Sequence, residues 1–103
     1  MFTIIFRTKD SEVIEILPSV DGDEKYLVQE AVKYKTLKDS FDDSPSALND
    51  ECMNSFMAEL DLLSDEVEKR ESLEHIKKIK KLAEKCKVLK GSHLIITPFD
   101  IGI

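Results

Sequence analysis

With 103 residues, 42% of them hydrophobic and 35% charged, and only three Gly and three Pro, the chain has the composition of one folded domain with a single core. Its apolar runs fall short of the ~18 residues of a membrane span, and its first residues lack the pattern of a signal peptide, so a cytoplasmic protein with no membrane partner is expected. The net charge of −6 is uneven: residues 1–63 hold fourteen acids and six bases, residues 64–91 six acids and nine bases, which disfavours general nucleic-acid binding and suits a basic protein partner.

Phe2, Ile4 and Phe6 alternate with Thr3, Ile5 and Arg7, the period of a half-buried strand over 2–8. Lys9-Asp10-Ser11 read as a turn, and residues 12–17 alternate again, with Ile14 and Ile16 on the side opposite Val13, Glu15 and Leu17. A short polar loop between two such runs predicts an antiparallel hairpin, ended by Pro18. Asp21 can cap a helix, with Glu24 reaching back in a capping box. The stretch 24–38 then fits a helix whose stripe runs through Leu27, Ala31 and Tyr34 and on to Phe41, with Leu37 near its edge. It also fits a strand through Tyr26, Val28, Val32 and Tyr34, with Glu30 as the exception, and the two readings stay open.

Residues 39–45, DSFDDSP, form the clearest linker, and Ser44-Pro45 predict the start of a helix whose stripe runs Leu48, Cys52, Met53, Phe56, Met57, Leu60 and Leu63. Ser64-Asp65-Glu66 predict a break. The last helix, from Ser72 to Lys90, buries Leu73, Ile76, Ile79, Leu82, Ala83, Cys86 and Leu89 and shows Lys77, Lys78, Lys81 and Lys85 on its other side. Gly91 is the expected left-handed stop. A strand over 93–97 follows, ended by Pro98, and Phe99, Ile101 and Ile103 suggest one more edge strand. The sum is an α+β domain: a small, mainly antiparallel sheet of three or four strands covered by about three helices.

No residue pattern supports a catalytic site, a cofactor or a resident metal. Gly22, Gly91 and Gly102 stand alone, no GxSxG occurs, and only two histidines exist, His75 at the rim of the last helix's stripe and His93. Asp21-Gly22-Asp23 lacks calcium-loop register, since Lys25 stands where a third ligand belongs. Cys52 and Cys86, 34 positions apart, form no CxxC, and buried thiols or a bridge between packed helices both fit them.

The acidic loops are the functional candidates. Asp39, Asp42 and Asp43, with Phe41 as an aromatic anchor among them, form the first set, and Asp21, Asp23 and Glu24 the second. Capping and solvation are the ordinary account of such residues taken one at a time; several brought together would steer a basic ligand. In size, acidity and order of elements the chain resembles small bacterial immunity and antitoxin proteins, including those of contact-dependent growth inhibition systems. The resemblance implies a non-enzymatic inhibitor that occludes a basic partner, for example a nuclease toxin domain. The alternative is a structural or regulatory subunit of phage or plasmid type that self-associates, as a homodimer, through an exposed strand edge.

Overall fold

Why the chain folds as it does is clearest at its first strand, where Phe2, Ile4 and Phe6 are all buried on one side. The computed structural model describes residues 1–98, and the expected edge strand over 99–103 lies outside them. Within the described residues the protein is α+β. Strand β1 (Thr3–Arg7) pairs with β2 (Val13–Leu17) as the hairpin alternation requires, and β4 (His93–Thr97) lies antiparallel on its other side. The sheet order is β2-β1-β4-β3, every pair antiparallel.

Between β2 and β3 come a four-residue helix α1 (Glu24–Leu27), a 3₁₀ turn (Val32–Tyr34) and α2 (Lys35–Ser40). Residues 28–31 belong to neither regular form, so the stretch 24–38 is broken helix, and the period of two was misleading there. Asp21 does not cap it. Asp23 occupies the cap position, but its side chain makes no bond to the helix, because the carboxylate is turned inward to the Phe2 amide.

Strand β3 (Ser46–Asn49) replaces the helix expected from Ser44-Pro45. Leu48 is the reason: paired with Leu94 of β4, it buries on the sheet's inner face, which a helical stripe would also have asked of it. The helix starts later, at Asn49, whose Oδ1 accepts from the Cys52 amide at 3.1 Å. A 3₁₀ turn (Asp50–Cys52) leads into α3 (Met53–Glu66), and Val67–Lys69 separate it from α4 (Arg70–Val88). Ser64, expected at the break, lies inside α3 and donates to the Leu60 carbonyl. Gly91, at φ +82°, takes the left-handed stop as expected.

Helices α3 and α4 cover one face of the sheet. Phe56, Leu60 and Leu63 from α3, and Ile76, Ile79, Leu82, Ala83 and Cys86 from α4, close over Phe2, Ile4, Phe6, Leu48, Leu94 and Ile96. Each such large side chain contributes about 1.5–3 kcal/mol of burial, which fixes the sheet's sidedness. On the other face Ile16, Ile5, Ile95 and Ala47 stand in one row across all four strands, since cross-strand partners share a face, and the three isoleucines are only partly buried.

Short α2 is held from within the core. Glu59 of α3, 8% exposed, accepts from the amides of Thr36 at 3.1 Å and Leu37 at 3.0 Å. The carboxylate thereby satisfies two of the amides that a helix N-terminus leaves without partners.

Candidate functional site

The register of the sheet decides which loops can act together. Thr3 faces Thr97, Ile4 faces Leu17, and Ser46 faces Ile96. The loop after β2 and the loop before β3 therefore leave from the same end of the sheet. That end gathers Asp21 and Glu24 with Asp39, Asp42 and Asp43, on loops attached to strands three spacings, about 14 Å, apart. Asp50 and Glu51 follow Asn49, which faces His93 at the opposite end.

A cleft of about 340 Å³ lies at this acidic end, between residues 28–30 and 38–43. Glu30, Asp39, Asp42 and Asp43 border it with one base, Lys38, and Val28 and Gln29 complete the nearer wall. Four carboxylates around one ammonium make a local excess of negative charge. Asp42 is oriented by its own turn, Oδ1 accepting from the Ser44 amide at 2.9 Å. The far wall is set by α2, whose last turn is closed by Ser40 Oγ donating to the Thr36 carbonyl. Ser46 Oγ donates to the Asp39 carbonyl and ties the loop to β3.

Two of the candidate residues are not available to a partner. Phe41 is 1% exposed, its ring edge-on to Phe2 at 5.0 Å and stacked on Phe56 at 6.2 Å, so it anchors the loop to the core. Asp23 is fully buried, and its Oδ2 accepts from the amides of Phe2 at 2.9 Å and Val20 at 3.4 Å. Asp21, Glu24, Asp39, Asp42 and Asp43 are exposed. A hydrogen bond to its own backbone holds the Glu24 carboxyl below its usual range, with the nearby Met1 amino group adding to the effect.

Beside Asp23 lies a second polar cluster. The Tyr26 hydroxyl and His75 Nδ1 share a hydrogen bond of 2.6 Å, with the rings edge-to-face. Burial, together with the charges of Asp23 and Glu24, pushes the Tyr26 hydroxyl up to about 12. The same burial lowers the imidazole pKa, and Nε2 of His75 has no hydrogen-bond partner. A neutral ring packed against α1 is a structural clip between that helix and α4.

The remaining candidates are structural too. Cys52 and Cys86 are free thiols, and burial raises the pKa of Cys86, whose Sγ accepts from Ser92 Oγ at 3.4 Å. Among the described residues no group of three His, Cys, Asp or Glu is placed to hold a metal ion. No described helix is long and apolar enough to cross a membrane. On α4, Lys85 reaches Glu15 of β2 and Lys80 reaches Asp61 of α3, each at 2.7 Å.

Compared with known proteins, the chain matches no family model, no curated sequence and no solved structure. The acidic end therefore has to be read from its own geometry. Sequence reasoning missed Glu30 and Val28 in the cleft. The one signal was Glu30's misfit in the alternation of 26–34, the mark of a residue that neither a buried strand nor a helix stripe was using.

Proposed function

We propose that this chain is a non-enzymatic, protein-binding inhibitor of the immunity or antitoxin type, occluding a basic partner such as a nuclease toxin domain. The observation that carries the reading is the acidic cleft at the end of the sheet. It is concave, it holds four carboxylates against one lysine, Phe41 seats its loop in the core, and the bonds of Ser40 and Ser46 fix the end of α2 and its link to β3. A lysine or arginine side chain of the partner would enter it with little rearrangement, its aliphatic stem against Val28 and its charged end among Asp39, Asp42 and Asp43. Asp21 and Glu24, at the same end, would extend the field that steers the encounter. An inhibitor of this kind works by covering a surface that otherwise holds phosphates, so carboxylates are the groups it needs.

The test is to coexpress the chain with the product of the neighbouring gene and follow association by stopped-flow fluorescence at several salt concentrations. Reversing charge at Asp42 and Asp43 is expected to slow association and flatten its salt dependence. Unchanged rates at low salt, or a neighbour that is neither basic nor bound, would count against the reading. A second reading, self-association, draws support from one feature: Val13 and Ile14 on the outer strand β2 are 51% and 47% exposed. A stable homodimer in light scattering, with no affinity for a basic partner, would favour it.

A further inference from the structure

Cys52 and Cys86 are 34 positions apart in the chain and are brought level by the pairing of α3 with α4. The two helices run antiparallel through the link Val67–Lys69, and Lys80 reaches Asp61 across them at 2.7 Å. Helical side chains lean toward the N-terminus of their own helix, so this bond sets Leu60 about level with Lys78. Eight residues back from Leu60 lies Cys52, and eight on from Lys78 lies Cys86. α4 accordingly packs against the 3₁₀ turn Asp50–Cys52.

Both cysteines sit on the core-facing side of their elements. Cys86 is fully buried, and Cys52, one turn before Phe56, packs against the same core. The sheet holds them from the other side. Ser92 Oγ bonds the Cys86 Sγ at 3.4 Å; the next residue, His93, faces Asn49, which accepts from the Cys52 amide. A disulfide needs Cα atoms about 4.4–6.8 Å apart. Facing positions on packed helices come within that range, since axes about 8–10 Å apart carry Cα atoms on cylinders of about 2.3 Å radius. The two thiols differ in access. Cys52 lines a cleft of about 510 Å³ with Lys35, Ser46 and Ala47. Burial, with the charges of Asp50 and Cys52 adding to it, raises the Cys86 pKa and keeps that sulfur a thiol.

We propose that Cys52 and Cys86 are a redox pair that hydrogen peroxide closes into a disulfide, Cys52 being the sulfur attacked and Cys86 the thiol that resolves it. The Cys52 sulfur, as thiolate, attacks one peroxide oxygen, the O–O bond breaks, and the departing hydroxide takes up the proton the thiol released. Cys52 is left as a sulfenic acid, oxidised by two electrons, and the peroxide is reduced to water. The Cys86 sulfur then attacks the Cys52 sulfur, the S–O bond breaks, and the hydroxyl leaves with the Cys86 proton as a second water. The product staples the entry of α3 to the end of α4 and closes a loop through both helices. It involves no side chain of the acidic cleft and does not depend on the inhibitor reading.

The experiment treats the full-length, reduced chain with hydrogen peroxide, blocks remaining thiols by alkylation, and maps the peptides by mass spectrometry without reduction. We expect a linked Cys52–Cys86 peptide pair, formed at a rate independent of protein concentration. The urea midpoint of the product should rise by about 2 M and return to its starting value with dithiothreitol. Cys86→Ser should trap the sulfenic acid, so that dimedone labels Cys52 several-fold more than in the parent, and Cys52→Ser should leave Cys86 unoxidised. The peptide map of the parent decides the matter even where a variant fails to fold. Cysteines that stay reduced, Cys52 carried on to sulfinic acid with no bridge, or bridges only between chains each overturn the proposal. So does dimedone labelling that is equal in the parent and in a folded Cys86→Ser.

Discussion

Glu59 is the point at which the fold and the candidate site are most directly coupled, and Glu59→Ala is the perturbation that measures the coupling. Its two oxygens accept from Thr36 and Leu37 at 3.1 and 3.0 Å, and the residue is 8% exposed. Hydrogen bonds to a charged group contribute about 1.5–3 kcal/mol each, and amides left unsatisfied in the interior cost a similar amount. Two such bonds, partly offset by water entering at the Thr36 side, give an expected loss of about 3 kcal/mol. For a domain of this size total stability is roughly 5–15 kcal/mol, so the loss is a large fraction of it. With a urea m-value of about 1.5 kcal/mol per molar, the midpoint should fall by about 2 M. Glu59→Gln keeps one acceptor and should lose about half as much. Urea titration followed by circular dichroism gives the midpoints, and hydrogen exchange at Leu37 locates the damage in α2. Because α2 carries the far wall of the acidic cleft, Glu59→Ala should also weaken binding of a basic partner. A midpoint within about 0.3 M of the parent, or a glutamine variant as damaged as the alanine, would show that the carboxylate is not what holds α2.

Three further outcomes follow from particular contacts. Burial lowers the His75 pKa from 6.5, so the unfolded chain binds the proton more readily; stability should be complete above about pH 6.5 and decline as pH falls toward the folded pKa. Urea midpoints measured across that range should slope in the parent and be flatter in His75→Gln. Tyr26→Phe removes the 2.6 Å bond to Nδ1 and should cost about 1 kcal/mol, read as a lower melting temperature with faster exchange in residues 24–27. Gly91→Ala meets both a φ of +82° and Lys9 Cβ at 3.2 Å, and a loss of about 1–2 kcal/mol in urea titration is expected.

The strands at 2–8, 12–17 and 93–97 and the two long helices were legible because their periodicities are local and unopposed. β3 was not, because Ser44-Pro45 is a good helix start and Leu48 fits the helical stripe; only pairing with Leu94, 46 residues away, distinguishes strand from helix there. The acidic loops could be found by composition, and their common end of the sheet could not, since it follows from strand order. Phe41 shows the limit of such reading: an aromatic among aspartates is chemically the same whether it faces a partner or, as here, Phe2 and Phe56. Asp23 fails for a related reason, since a buried carboxylate bonded to two amides and an exposed one have the same letter.

The division into an acidic body and a basic last helix is partly consumed inside the molecule, which narrows what a partner can meet. Of the acids before residue 64, Asp23 and Glu59 are interior, and Glu15 and Asp61 are matched to Lys85 and Lys80 of α4. These pairs draw α4 against β2 and α3, so part of the charge contrast serves folding, at the modest value of exposed ion pairs. Among the acids outside these pairs, Glu30, Asp39, Asp42 and Asp43 border the cleft near the start of β3. A local field on one side of a small body orients an approaching protein as well as attracts it. Charge reversal at Asp42 and Asp43 should therefore slow association with a basic partner at low salt, while reversal at exposed Lys81 of α4 should leave that rate nearly unchanged, because the two positions share no contact.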